Sequence, residues 1–367
     1  MKRLMLIIPT LDQGGAEKQL TLLASQLPRD QFDVSVCALT RGGPYESNLR
    51  NNDVPVTVIG KKFKLDPLAY NRLKQHIQKH KPDIVHTWLF AANSYGRRAA
   101  QAAKTPHIIC GERCVDRWKA SYEHWIDRKL DQKTDRIACN SSGIRDFYVE
   151  HGRAAEKFQV IPNGMRIDPA PPTKTKAQLF AELGLPEDAR LMVAVGRLWP
   201  QKRVKDVIWA TDILRRVRDD AHLLIVGDGP QSSRLRLYAK QVTINEKVHF
   251  AGHRNDVREI LAHADLFFLA SGYEGQSNAL MEAMAAGVPP VVSDIAGNRD
   301  LVRHEENGYL VAVGQRAEYA RFAQYLLEDE KLRTQLAAAA RATIARDFTI
   351  EAMVQGHVEM YQAVAGR

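Results

Sequence analysis

Cysteine is scarce in this chain: four in 367 residues (Cys37, Cys110, Cys114 and Cys139), all in the first half. That is too few for a disulfide framework at this length. His107, Cys110 and Cys114 have no second ligand pair at zinc-site spacing, so the thiols read as reduced and structural and no metal is expected. No apolar run approaches the ~18 residues of a membrane-spanning helix. The N-terminal run Leu4 to Ile8 stops at Pro9, too short for a signal peptide, so the expected location is the cytoplasm. A G-x-G-x-x-G fingerprint is missing, and no acidic residue stands out at the end of the second apolar run. A dinucleotide oxidoreductase is therefore disfavoured.

What is abundant is aliphatic side chain. The hydrophobic set makes up 45% of the chain and charged residues 26%, enough to bury substantial cores; the length suits about two domains of roughly 100–200 residues. The net charge of +9 is unevenly placed. Residues 1–165 hold 26 Lys and Arg against 17 Asp and Glu, whereas the remainder balances. Half the chain carries the whole surplus, which points to an anionic partner there, either nucleic acid or an acidic membrane surface.

Short runs of Val, Ile and Leu alternate with helical patterns throughout. Strands are expected at 4–9, 34–39, 56–59, 84–87, 107–110, 136–139 and 159–161, then at 191–195, 222–226, 248–251, 266–269, 291–293 and 308–311. Helices are expected between them, for example at 16–27, 68–79 and 142–150, and again at 350–365. Near-continuous apolar strands spaced by helices imply parallel sheets covered on both faces, hence doubly wound α/β domains. Proline-rich sequence between Pro162 and Ala177 reads as a linker. The expected organisation is a first domain over 1–165, a second over 166–349, and a terminal helix over 350–367 free to pack on either, crossing back to the first included.

Three loops carry chemistry. The stretch Ser271–Val292 runs from a strand into a loop with Glu274 and Gly275. A helix starts near Ser277 or Asn278 and bears Glu282 about one turn in. A helix start offers backbone N–H groups to a phosphate, so the two carboxylates flank an anion site. That layout suits a nucleotide sugar, with ribose hydroxyls, a diphosphate, then sugar hydroxyls. In the second loop Arg197 and Lys202 follow the strand 191–195, and a planar guanidinium with a point-charge ammonium suits a diphosphate. The third loop, Thr10 to Glu17, places Gly14 and Gly15 between a strand and a helix, where backbone can approach a bulky ligand.

These segments resemble the retaining glycosyltransferases of family 4, which have the GT-B fold of two facing Rossmann-like domains. The family's Glu-x7-Glu stands here as Glu274 and Glu282, its Gly-Arg-x4-Lys as Arg197 and Lys202, and its Gly-Gly-Ala-Glu as Gly14 to Glu17. The likeness extends to Ile161–Gly164 and Gly227–Pro230. It implies that Arg197 and Lys202 bind the donor diphosphate, that Glu282 holds the ribose, and that Glu274 contacts the donor sugar. It further implies that Gln276, Ser277 and Asn278 lie near sugar and phosphate, that Gly14 and Gly15 close the diphosphate site, and that His253–Arg254 line the nucleobase pocket. No tightly bound cofactor is implied; UDP- or GDP-sugar is the donor substrate. No Asp-x-Asp element is present to hold a divalent ion, so metal-independent transfer is expected. Relatives carry His-x-His where this chain has His86 and Trp88, and His86 is expected to end a strand facing the cleft.

The acceptor side is expected on the basic first half. Trp118, Tyr122, Trp125 and Ile126 recur at helical spacing among Arg117, Lys119, Arg128 and Lys129. With Lys61, Lys62 and Lys64 they form either a contact for an anionic bilayer at the inner face of the cytoplasmic membrane, or an ordinary helix with aromatics turned to the core. The acceptor implied is a glycan or a lipid-linked sugar. Paired carboxylates also serve glycosidases, but such an enzyme leaves Arg197 and Lys202 unexplained. A nucleotide-sugar epimerase or a non-catalytic binding protein on the same fold remains the alternative. No nucleic-acid-binding motif appears.

Overall fold

A computed structural model describes residues 1–167 and 171–366. Residues 168–170, within the expected linker, lie outside the described residues. Seven strands form the first sheet: β1 (Lys2–Thr10), β2 (Phe32–Arg41), β3 (Val56–Val58), β4 (Ile84–Trp88), β5 (His107–Glu112), β6 (Arg136–Cys139) and β7 (Phe158–Val160). Six form the second: β8 (Arg190–Val195), β9 (Ala221–Val226), β10 (Val248–Gly252), β11 (Leu266–Leu269), β12 (Pro290–Ser293) and β13 (Tyr309–Val311). Every strand expected from the apolar runs is present.

The chain divides into two compact units, Met1–Gly164 with Ile350–Arg367, and Met165–Thr349. In the first, the strand order is β3-β2-β1-β4-β5-β6-β7; in the second it is β10-β9-β8-β11-β12-β13. All pairs are parallel. Both sheets reverse direction of growth once, between β1 and β4 and between β8 and β11. Ligands of open α/β sheets bind beyond the strand C-termini at such a reversal.

Alternation decides which core each side chain joins. On β1, Leu4, Leu6 and Ile8 enter one cluster, Met5 and Ile7 the other, one on each sheet face. On β8, Met192 and Ala194 separate from Leu191 and Val193 in the same way. The C-terminal helix Ile350–Ala365 adds Met353, Val358, Tyr361 and Val364 to the cluster holding Leu4 and Leu6, so it covers one face of the first sheet. Irregular sequence after Gly164 ends earlier than the linker expectation, because Thr175 caps a helix at Lys176–Leu183 reciprocally with Gln178.

All four cysteines are free, and burial pushes the thiols of Cys37, Cys110 and Cys139 up to about 12. Among the described residues no helix is long and apolar enough to cross a membrane.

Candidate active site

The second unit gathers its chemistry at the reversal between β8 and β11. β8 ends at Val195, and Gly196 turns the chain at φ 153°. The next strand's turn nests against it. A Cβ on Gly227 would lie 2.0 Å from the Gly196 carbonyl oxygen, so glycine there is a steric requirement. Leu198 N–H donates to the Asp228 carbonyl at 2.9 Å, and a 3-10 turn, Pro200–Lys202, then brings Lys202 round.

Two hydrogen bonds tie this loop to the one after β11. Gly272 N–H donates to the Gln201 carbonyl at 2.9 Å, and the Gln201 side-chain amide donates to the Tyr273 carbonyl at 3.0 Å. The result is an ion pair: Lys202 Nζ lies 2.5 Å from Glu274 Oε1, without hydrogen-bond angles, the two side chains 18% and 11% exposed. Arg197 projects from the same loop into solvent, its guanidinium 5.8 Å from the Trp199 ring. Among the described residues no carboxylate forms an ion pair with it.

Beyond Glu274, Gln276 and Ser277 are buried, and the helix Asn278–Ala285 begins. Ser277 Oγ accepts from Leu280 N–H at 3.4 Å as its N-cap. No acidic residue stands in the first turn, so nothing of negative charge from the helix itself offsets its positive end. Glu282 follows one turn in, half-buried. A Cβ on Gly297 would lie 1.8 Å from the Gly275 carbonyl oxygen, so the loop rests directly on backbone. The structure thus brings Lys202 and Glu274 into contact and sets Arg197, Gln276, Ser277, Asn278 and Glu282 on the same two loops and the helix they feed.

Arg254 is placed differently. It follows β10, an edge strand two places from β8, or about 10 Å across the sheet. Its guanidinium is held by Asp256 at 2.5 Å and by Glu182 at 2.7 Å, and those hydrogen bonds raise its pKa further. Its fork is already filled by two carboxylates.

In the first unit, Gly14 caps the helix Gly15–Gln26. The Glu17 carboxylate folds over it, so close that a Cβ on Gly14 would lie 2.0 Å from Glu17 Oε2. His86 departs from expectation. Its side chain is wholly buried, with Nδ1 2.8 Å from the Tyr361 hydroxyl and the ring 6.0 Å from His357. Burial, with the nearby His357 and Arg113 charges, pushes its pKa well down, so the ring is neutral. On β4 it faces the C-terminal helix and not a cleft.

Motifs do not reveal the buried ionic cluster behind β5. Arg97 pairs with Asp127 and Asp131 at 2.7 Å each, Arg153 with Asp131 at 2.7 Å and Glu112 at 2.6 Å, and Lys119 with Asp127 at 3.0 Å. Asp127 and Asp131 at four-residue spacing are its visible signal; Arg97 and Arg153 are remote in sequence, and Glu123 one turn earlier instead accepts from Ala120 N–H at the helix start.

Comparison with known proteins agrees along the whole chain. A family model described as Glycosyltransferase Family 4 matches residues 13–168, and one described as Glycosyl transferases group 1 matches residues 175–343. The chain is 30% identical over 289 residues to the lipopolysaccharide core biosynthesis glycosyltransferase LpsE of Rhizobium meliloti (strain 1021), covering 79% of this chain and 78% of that one. It is 28% identical over 354 residues to an Escherichia coli UDP-Gal:alpha-D-GlcNAc-diphosphoundecaprenol alpha-1,3-galactosyltransferase, covering 91% and 90%. Among solved structures, Anabaena HepE in complex with UDP-glucose superimposes with a TM-score of 0.89 at 22% identity, covering 99% and 100%. The two Rossmann-like parallel-sheet units are those of the GT-B fold.

Proposed function

The chain belongs to glycosyltransferase family 4, and on that premise we propose that it transfers a hexose-type sugar from a UDP- or GDP-sugar to a hydroxyl of a cell-envelope acceptor, retaining anomeric configuration without a metal ion. The observation that carries this reading is the Lys202–Glu274 pair at the β8/β11 reversal, beside a helix start with no acidic first turn. LpsE and the E. coli galactosyltransferase, both similar to this chain, act in lipopolysaccharide core biosynthesis and on a diphosphoundecaprenol-linked sugar. A glycan or lipid-linked acceptor follows from them.

In this reading the bond from the anomeric carbon to the β-phosphate oxygen breaks as the acceptor oxygen bonds to that carbon from the same face. The acceptor proton passes to the departing phosphate oxygen. Negative charge grows on the diphosphate, and Lys202, Arg197 and the backbone near Gln276–Asn278 stabilise it where it develops. Glu274 orients the sugar hydroxyls, and Glu282 the ribose. Gly14 and Gly15 offer a phosphate their backbone only once the Glu17 carboxylate, which lies over Gly14, swings aside. Arg254 bears on the nucleotide only through release from Asp256 and Glu182, and His86 acts as a positioning residue through Tyr361.

Calorimetric titration with UDP and with GDP tests the reading: one of them binds, and Glu282→Ala weakens that binding by about 10–100-fold, the worth of charged hydrogen bonds. Binding of neither nucleotide would overturn it. A second result follows from the ion pair. Donor binding must part Lys202 from Glu274, so Glu274→Gln tightens nucleoside diphosphate binding by about two- to five-fold, the upper part of the range for a lone ion pair, since this one is mostly but not wholly screened from water. The same variant loses transfer at least about ten-fold, because the sugar loses its carboxylate. Affinity and turnover moving in the same direction would remove Glu274 from this role.

A further inference from the structure

The helix Ser121–Asp131 is built inside out. Its buried side chains are Glu123, His124, Asp127, Leu130 and Asp131, while Tyr122 and Trp125 are 57% and 54% exposed. A surface helix ordinarily buries its apolar stripe. Here the cause is ionic, since Arg97, Lys119 and Arg153 bind Asp127 and Asp131 inward. The aromatic face is turned to solvent by what holds the opposite face.

A second exposed apolar set stands in the segment after β3: Phe63, Leu65 and Leu68 are 68%, 81% and 70% exposed, with Lys61 and Lys62 before them and Lys64 among them. Trp118, 58% exposed, precedes the inverted helix in the loop after β5. In a parallel sheet the segments that follow the strands all leave from one end, so these two share that end. The helix Leu89–Ala102 joins them. Phe90 meets the Trp118 ring edge-on at 5.0 Å. Tyr95 donates its hydroxyl to the Lys64 carbonyl at 2.8 Å, accepts from Asp66 N–H at 2.8 Å, and lies under Lys61 Nζ at 4.9 Å.

Large exposed apolar residues gathered this way mark an interaction surface. Its chemistry selects the partner. Trp and Tyr with lysine are the side chains of the membrane–water interface. Arg128 and Lys129 rim the aromatic face, and the whole positive surplus of the chain lies in residues 1–165. We propose that this face of the first unit docks on an anionic lipid bilayer, lysines on the headgroups and aromatic rings in the interfacial layer. The docking stands apart from the transfer reaction and is measured without substrate.

Co-flotation of the full chain with vesicles tests it. Binding is expected to vesicles of 30 mol% phosphatidylglycerol in phosphatidylcholine (a composition of about one anionic lipid in three), and to fall steeply between about 20 mM and 500 mM salt. Changing Lys61, Lys62 and Lys64 to Gln costs about 10²-fold in vesicle affinity, at roughly five-fold per charge. Trp118→Ser with Trp125→Ser costs at least about ten-fold, and UDP or GDP binding by the second unit stays unchanged as the control for folding. Failure of the native chain to float at low salt overturns the proposal. So does equal flotation of the variants, or a concentration-dependent dimer in which these residues are the buried contact.

Discussion

Replacing Lys202 with alanine is expected to lower sugar transfer by about 10²–10³-fold, the usual cost of one preorganised donor at a developing charge. Three observations single out this lysine. It comes round on a turn fixed by backbone hydrogen bonds, its Nζ is already 2.5 Å from the carboxylate assigned to the sugar, and its side chain is mostly screened from water. Arg197 lies in the same loop but is exposed, so its contribution is expected to be smaller and more sensitive to salt. Because the charge grows as the glycosidic bond breaks, the loss appears mainly in kcat, with nucleoside diphosphate affinity falling less. Lys202→Ala also leaves Glu274 without its partner. Pairing it with Glu274→Gln therefore separates the lost cation from the stranded carboxylate. Rates within about three-fold of the native protein for Lys202→Ala would remove the lysine from the reaction.

Much of this arrangement is legible in the amino-acid sequence. Strands β6 and β11 have the bounds expected from their runs, Arg-Ile-Ala-Cys and Leu-Phe-Phe-Leu, because strands buried on both faces are written as near-continuous apolar residues. The Lys202 and Glu274 loops are readable because each follows such a strand directly. Spacing places Tyr122, Trp125 and Ile126 on a common helical face, but it does not say which way that face points. Arg97 and Arg153, 30 residues before and 26 after Asp127, decide it by drawing the opposite face inward. Trp118 shares the spacing of that stripe, yet the helix starts only at Ser121, and its indole N–H donates to Asp116 in the loop. His86 reads locally as a strand-end residue open to ligand. Its cover comes from Tyr361, 275 residues along, and no local pattern reports that contact.

The largest stability effect should come from Asp127, which belongs to the first unit and to none of the donor loops. Its carboxylate is fully buried, 2.7 Å from Arg97 and 3.0 Å from Lys119, both side chains likewise buried. Burial alone would push its pKa up, but the Lys119 and Arg97 charges outweigh that and hold it below the usual carboxylate value. Its stabilising contribution is therefore complete above the unfolded-state pKa of about 3.9, and is lost as pH falls through the lower native value. Asp127→Ala takes one carboxylate from two buried cations, leaving Arg97 to Asp131 at 2.7 Å and Lys119 to Asp116 at 3.3 Å, so the cost is about 3 kcal/mol, the lower end for a broken buried pair. The first unit's unfolding midpoint should fall by roughly 6–12 °C at neutral pH, read by calorimetry, with a smaller gap between variant and native protein near pH 3. Removing Arg97 as well, as Arg97→Met with Asp127→Leu, should restore part of the loss, since a packed apolar pair often matches a buried ion pair. The same substitution loosens the helix that holds Trp125 outward. Vesicle flotation by Asp127→Ala should consequently weaken at temperatures where the chain remains folded, whereas flotation equal to that of the native protein would show that the buried ions do not orient the aromatic face.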